Sequence, residues 1–428
     1  MPRLLALGTA AAVAATGLTF AAPGSADAAT VVSTPYVLRG FGYGLRVVGG
    51  SLPAASGDLG YTTSGCTNKA GVTHENHTAG VSLPGGLGSI GAVASKTWST
   101  KVGNTVNRYT QSKVASITIG NSLGSLNIKG LTMTTHVWHN AAGFHSKATA
   151  NAGSITGKIG PLALPGKLPT PGNPITIPGL LKLSIGAKKE NVGPNWAGAN
   201  IDGLRLQLLP TKTTINLAHS WAYMSKGIAS GVFGGNAVAT KVSALGGMVS
   251  SSGQPFRQMP CKSPQGKTLT KAIASVPLKV PGFPISVGAA TSTVQGNQSK
   301  TKAWGRGISK VASISLGSGS TKLVVKGLVA QANVSRTGKG LSKLTRNSNG
   351  THVASITLGG KSYTLSQLDG KSLDIPGLDQ VVKIQTNVVS NEWQGIQVVG
   401  LRLTLLGASD ASKTVIDLAR TRIKIVKP

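Results

Sequence analysis

Apolar and polar residues alternate along much of this chain. Ala115, Ile117 and Ile119 alternate with Ser116 and Thr118. Leu204, Leu206 and Leu208 alternate with Arg205 and Gln207, and Leu401, Leu403 and Leu405 repeat that pattern further on. A period of two puts the apolar set on one face of a strand and the polar set on the other. Turn residues separate the runs, as in Gly120-Asn121-Ser122, Gly157-Lys158-Ile159-Gly160 and Gly359-Gly360-Lys361. No window keeps a long helical period. Short strands joined by tight turns predict an all-β fold of antiparallel, sandwich-like sheets. Residues 161–178 hold six prolines and predict a long connection or an edge segment.

The strand patterns recur. Ser112-Lys113-Val114-Ala115-Ser116-Ile117 reads again as Ser309-Lys310-Val311-Ala312-Ser313-Ile314, an offset of 197. At that offset Lys129-Gly130-Leu131 matches Lys326-Gly327-Leu328, and Gly203-Leu204-Arg205-Leu206 matches Gly400-Leu401-Arg402-Leu403. Asn195-Trp196 is echoed by Glu392-Trp393, and Ile177-Pro178-Gly179-Leu180 by Ile375-Pro376-Gly377-Leu378 with a slip of one. So many identities at one offset indicate an internal duplication. It predicts a β-rich unit one over 29–231 and a unit two over 232–428. Trp196 and Trp393 are expected to plug equivalent core positions. If the units pack about a pseudo-two-fold axis, equivalent residues meet only near that axis. Cys66 and Cys261 lie 195 apart, so a bond between them would staple the units there.

The N-terminus bears on compartment. Met1-Pro2-Arg3 is a short positive region, residues 4–22 are apolar or small, and Ala26-Asp27-Ala28 is an A-x-A site. This three-part pattern predicts a secretory signal peptide over 1–28. No second stretch reaches the roughly 20 apolar residues of a membrane span, so no transmembrane segment is expected. The expectation is a protein that is secreted, extracellular or non-covalently wall-associated. In that compartment a disulfide between Cys66 and Cys261 is the default, with free thiols or an intermolecular bridge as alternatives.

Charge changes the picture most. There are 43 Lys and Arg against 11 Asp and Glu, a net charge of +32. Carboxylates are missing from 76–189 and again from 203–368. Such a chain attracts anionic polymers. Outside a cell these are wall teichoic acid, anionic lipid headgroups, nucleic acid and acidic polysaccharide. The alternative is that the charge only keeps an exported protein soluble. With six Phe, six Trp and six Tyr in 428 residues, a stacking platform for bases or sugars is not expected. Sequence-specific nucleic-acid recognition is not expected either.

The chemical motifs are weak. Gly120-Asn121-Ser122-Leu123-Gly124 matches G-x-S-x-G, but it lies between two strand patterns and reads as a hairpin turn. Unit two has Gly319 at the place of Ser122. Gly86-Leu87-Gly88-Ser89-Ile90-Gly91 matches G-x-G-x-x-G, yet the next acidic residue is Glu190, so it is a Gly-rich turn. Paired carboxylates for glycoside hydrolysis find no support, since Asp202 aligns with Val399. Histidines cluster in unit one. His74/His77 and His136/His139 have i,i+3 spacing, which suits metal ligands on a turn better than on a strand. These four are the candidate zinc or copper ligands, and solvated or hydrogen-bonded histidines are the alternative. Unit two carries Asn333 and Arg336 at the places of His136 and His139. No catalytic residue and no cofactor is expected.

Gly234-Gly235-Asn236-Ala237, the following Val238-Ala239-Thr240-Lys241-Val242, the Val-Ala-Ser-Ile strands and the closing Gly-Leu-Arg-Leu strand suggest a family. Together they resemble the actinobacterial choice-of-anchor P proteins, over most of unit two and more loosely unit one. The resemblance implies an exported β-rich protein held at surfaces by varied tails, with no established activity and no functional residue to carry over. This chain departs from it by being unusually basic and by showing no anchor segment. Three functions are expected in order of preference. The first is non-enzymatic association with the cell envelope or extracellular matrix through anionic polymer. The second is a structural or adhesive role with a protein partner. The third is a secreted hydrolase or metal-dependent protein using the unit-one histidines.

Overall fold

The computed structural model describes residues 30–48, 58–82, 88–121, 124–159, 162–163, 166, 169, 173–209, 212–244, 249–250, 253–276, 284–317, 322–374, 381–405 and 414–428. The predicted signal segment 1–28, Ser122 of the G-x-S-x-G match and much of the proline-rich 161–178 lie outside them.

The described chain is strand after strand, with one four-residue helix at Leu365–Leu368 and a single 3-10 turn at Lys339–Leu341. Four antiparallel sheets account for the strands. In the first half, Val32–Val48 pairs with Thr213–Lys226 at the centre of one sheet. In the second sheet, Val93–Val102, Thr105–Asn121, Gly124–Asn140 and Gly143–Asn151 run side by side. The later half repeats the scheme. Val232–Ala244 pairs with Thr414–Val426 in the third sheet. Ala290–Gln298, Ala303–Leu316 and Leu323–Thr337 form the middle of the fourth. Even the register recurs: Ser116 faces Lys129 and Ile117 faces Ile128, while Ser313 faces Lys326 and Ile314 faces Val325.

Each pair of sheets encloses its own core. Ile117, Ile128, Leu131 and Met133 of the second sheet share one buried cluster with Leu204, Leu206, Ile215 and Leu217 of the first. Ile314, Val325 and Leu328 share another with Leu401, Leu403, Ile416 and Leu418. Burying such side chains is the main stabilising term.

Part of the first core is unusual because it is polar and thin. Val32–Val48 carries Gly40, Gly42 and Gly44 in alternation with Phe41 and Tyr43. A Cβ on Gly42 would lie 2.5 Å from the Ser112 hydroxyl and 3.0 Å from the His219 carbonyl. The glycines therefore let the two sheets approach closely. Hydroxyls then reach across to opposing backbone: Thr110 donates to the Trp221 carbonyl at 3.0 Å, Ser112 to that of His219 at 2.6 Å and Ser220 to that of Met133 at 3.0 Å. Arg108 is buried in this seam. Its guanidinium has no hydrogen-bond partner among the described residues, and burial pushes its pKa down to about 9.

One expectation needs correction. Trp196 and Trp393 are 38% and 73% exposed, so neither plugs a core. Gly193 pairs with Trp196 and Glu392 with Gly395, which places both indoles at hairpin tips, outside the two large cores.

Cys66 and Cys261 form the disulfide, with Cα atoms 5.5 Å apart. They sit in a small apolar cluster with Val37 and Val232, between the two large cores. The connector after Thr213–Lys226 is held by Gln298, whose carbonyl accepts from the backbone N–H groups of Ala229, Ser230 and Gly231. The Gln298 amide in turn donates to the Lys262 carbonyl at 2.6 Å.

Candidate functional site

The aromatic residues are few, but they are gathered. Among the described residues, every close ring pair lies in the first half of the chain. On the first sheet, the outward residues Phe41 and Tyr43 interleave with His219, Trp221 and Tyr223 of the paired strand. Tyr43 stacks on His219 at 4.9 Å, His219 on Phe41 at 5.1 Å, Phe41 meets Trp221 at 5.3 Å, and Trp221 lies parallel to Tyr223 at 5.9 Å. Trp196 extends the row at 6.2 Å from Tyr223. The alternation that produced the glycine seam produces this row, because inward glycines require outward partners at the intervening positions.

A second row crosses the outer face of the second sheet. Trp98, Tyr109, His136, Trp138 and His145 stack in succession, with centroids 4.8, 4.0, 4.3 and 4.9 Å apart. An aromatic platform was not expected from composition. A whole-chain percentage cannot show that rings spaced two apart on paired strands converge on one face.

At these separations the rings cover one another's faces; Tyr43 and His219 are buried, while Phe41, Trp221 and Tyr223 are half-buried. Ring edges carry partial positive charge. Cations cover part of what face remains: the Arg46 guanidinium lies 4.3 Å from the Tyr43 ring centre, and that of Arg39 lies 5.0 Å from Trp221. Burial raises the Tyr43 phenol to about 12 and lowers Arg39. Arg46 is paired with Asp58, so the positive charge this row can offer an anion is that of Arg39.

The first row runs between two hollows. One, of about 470 Å³, is lined by Tyr43, Asp202, Arg205 and His219. Asp202 accepts from or pairs with His219 Nδ1 at 2.7 Å, and that contact holds its carboxyl below the usual range. The pair resembles a catalytic dyad, but His219 Nε2 is buried with no partner among the described residues. A general base must reach the proton it takes. This imidazole is a stacked wall between Phe41 and Tyr43. The other hollow, of about 520 Å³, opens at the junction of the two halves.

The candidate metal ligands are not brought together. His74 and His77 lie on the exposed strand Thr73–Thr78, and His136 and His139 on Gly124–Asn140. The expected turn is a strand in both cases, and an odd spacing on a strand sends the two side chains to opposite faces. Two strands separate the pairs, which is roughly 14 Å at the usual strand spacing. His136 is stacked and bonded to Asn107 at 2.9 Å, and burial lowers its pKa to about 4. His139 is bonded to the Tyr36 hydroxyl at 2.8 Å. Among the described residues no group of three or more His, Cys, Asp or Glu side chains is placed to hold a metal. No described helix is long and apolar enough to cross a membrane.

Comparison with protein-family models and with curated protein sequences finds no match to this chain.

Proposed function

We propose that this is an exported, non-enzymatic protein that holds anionic polymer of the cell envelope or extracellular matrix on its basic β faces. One observation carries the reading. Every carboxylate whose side chain is described is engaged within the fold. Asp417 takes a two-pronged bond from Arg402, Glu392 pairs with Arg422 and Asp58 with Arg46. Glu190 binds Lys188, Glu75 binds Lys96 and Asp202 binds His219. Asp369 accepts from the Thr386 backbone at 2.7 Å. Few acids remain to neutralise 43 Lys and Arg, so most of the positive charge faces outward uncompensated. The likeness to exported choice-of-anchor P proteins fits this proposal but adds no residue to it.

Co-sedimentation of the mature protein with purified cell walls tests it, at low and high salt and before and after teichoic-acid stripping. Binding lost with salt and with stripping is the expected result. Absence of binding in every condition would sink the proposal.

A further inference from the structure

The hollow at the junction draws its lining from both halves of the chain. Its first wall is the outer face of the first sheet, with Arg39, Trp221, Tyr223 and Ser225. Its second wall comes from the other half, with Phe256, Arg257 and Lys262. Cys261 belongs to that second wall, so the Cys66–Cys261 bond pins the two walls together. Neither half forms this site alone.

Its chemistry is one-sided. Two guanidinium groups and one ammonium line it, and no Asp or Glu does. Lys262 is fixed there by donating to the Lys226 carbonyl at 3.0 Å, which uses one of its three N–H bonds. Arg257 Nε is buried with no partner among the described residues. Ser225 is 0% exposed, and its hydroxyl also has no partner there. Both unmet atoms are sealed from solvent and lie behind the hollow's surface, so what the hollow itself presents to an occupant is its positive charge. Phe256 is 39% exposed and stacks on no other described ring, so one of its faces is open to that occupant.

We infer that this hollow binds an acidic saccharide unit: a sugar ring carrying a carboxylate or phosphate. Guanidinium groups match such planar or tetrahedral anions in two-pronged geometry. The Gln265 amide and the Gln258 side-chain oxygen supply polar groups for hydroxyls, while Gln258 Nε2 already donates to the Gly235 carbonyl at 2.6 Å. Phe256 supplies an apolar wall for the C–H face of the ring. The volume of about 520 Å³ lies within the range of about 300–1,000 Å³ usual for small-ligand sites. This inference rests on the polyanion reading and assigns one specific subsite to it.

Calorimetric titration of the mature protein tests it, with a galacturonic acid trisaccharide, its methyl ester, glucose 1-phosphate and inorganic phosphate. One-to-one binding of the acid trisaccharide or the sugar phosphate is expected, at least about tenfold tighter than the ester or inorganic phosphate. Arg257→Gln and Lys262→Gln each weaken it about tenfold, the loss of one charged hydrogen bond. Lys343→Gln, on an exposed strand of the fourth sheet, leaves it unchanged. Thermal unfolding checks that the variants fold, and Lys262→Gln decides if Arg257→Gln does not. Equal binding by wild type and both variants overturns the inference, as does equal binding of acid and ester. If cell walls are bound but neither sugar is, this subsite fails and the polyanion reading stands. If a sugar is bound but walls are not, the reverse holds.

Discussion

His136 shows how one position is shaped by its neighbours. It lies between Tyr109 and Trp138 in the stack, and burial there lowers its pKa from 6.5 to about 4. Between those values the unfolded chain takes up a proton that the folded protein refuses. Stability is therefore complete above pH 6.5 and falls as pH drops towards 4. His136 is partly exposed, so the effect is on the order of 1–2 kcal/mol after discounting for solvent. His136→Asn installs the residue type found at the equivalent position, Asn333. Urea unfolding at pH 7 and pH 4.5 is expected to show a smaller acid loss in this variant. An unchanged loss would place the proton elsewhere. At this scale the sequence was least legible. Trp393 looks like a core residue by type, and only the hairpin between Glu392 and Gly395 shows why it is outside.

Strands were the legible part. Alternation around Ile117 and Leu206 needs no tertiary information, because a period of two is itself the statement of which face is buried. The 197-residue offset is the separation at which the Ser116–Lys129 and Ser313–Lys326 registers recur. The strand Val32–Val48 was readable in principle but needed a different question. Its Gly-Phe-Gly-Tyr-Gly run alternates small with large, not apolar with polar, and so escapes a hydrophobicity pattern. Gly42→Ala tests the close approach that run allows. The added methyl meets Ser112 Oγ and the His219 backbone, which have little room to retreat. A loss of about 1–3 kcal/mol in urea unfolding is expected. A loss below about 0.5 kcal/mol would show that the seam can widen.

For the whole molecule, two cores joined by a short connector and one disulfide set the mechanics. The bond closes a separation of 195 residues. Loop-closure entropy puts its contribution at about 5 kcal/mol, and real bridges give less. Cys66→Ser with Cys261→Ser is expected to split one calorimetric unfolding transition into two, since each core is self-contained. A single transition, shifted but intact, would mean that the junction couples the halves without the bond. Composition announced the charge at this scale, but not the junction hollow, which exists only once the two halves are apposed. The central claim is that outward, uncompensated positive charge is what holds the partner. Its most direct test is the affinity of the mature protein for a wall-derived anionic polymer across a series of salt concentrations. The account expects log affinity to fall linearly with log salt, with a slope of magnitude about 4 or more, as counterions are released. An affinity that stays flat across that series would contradict it.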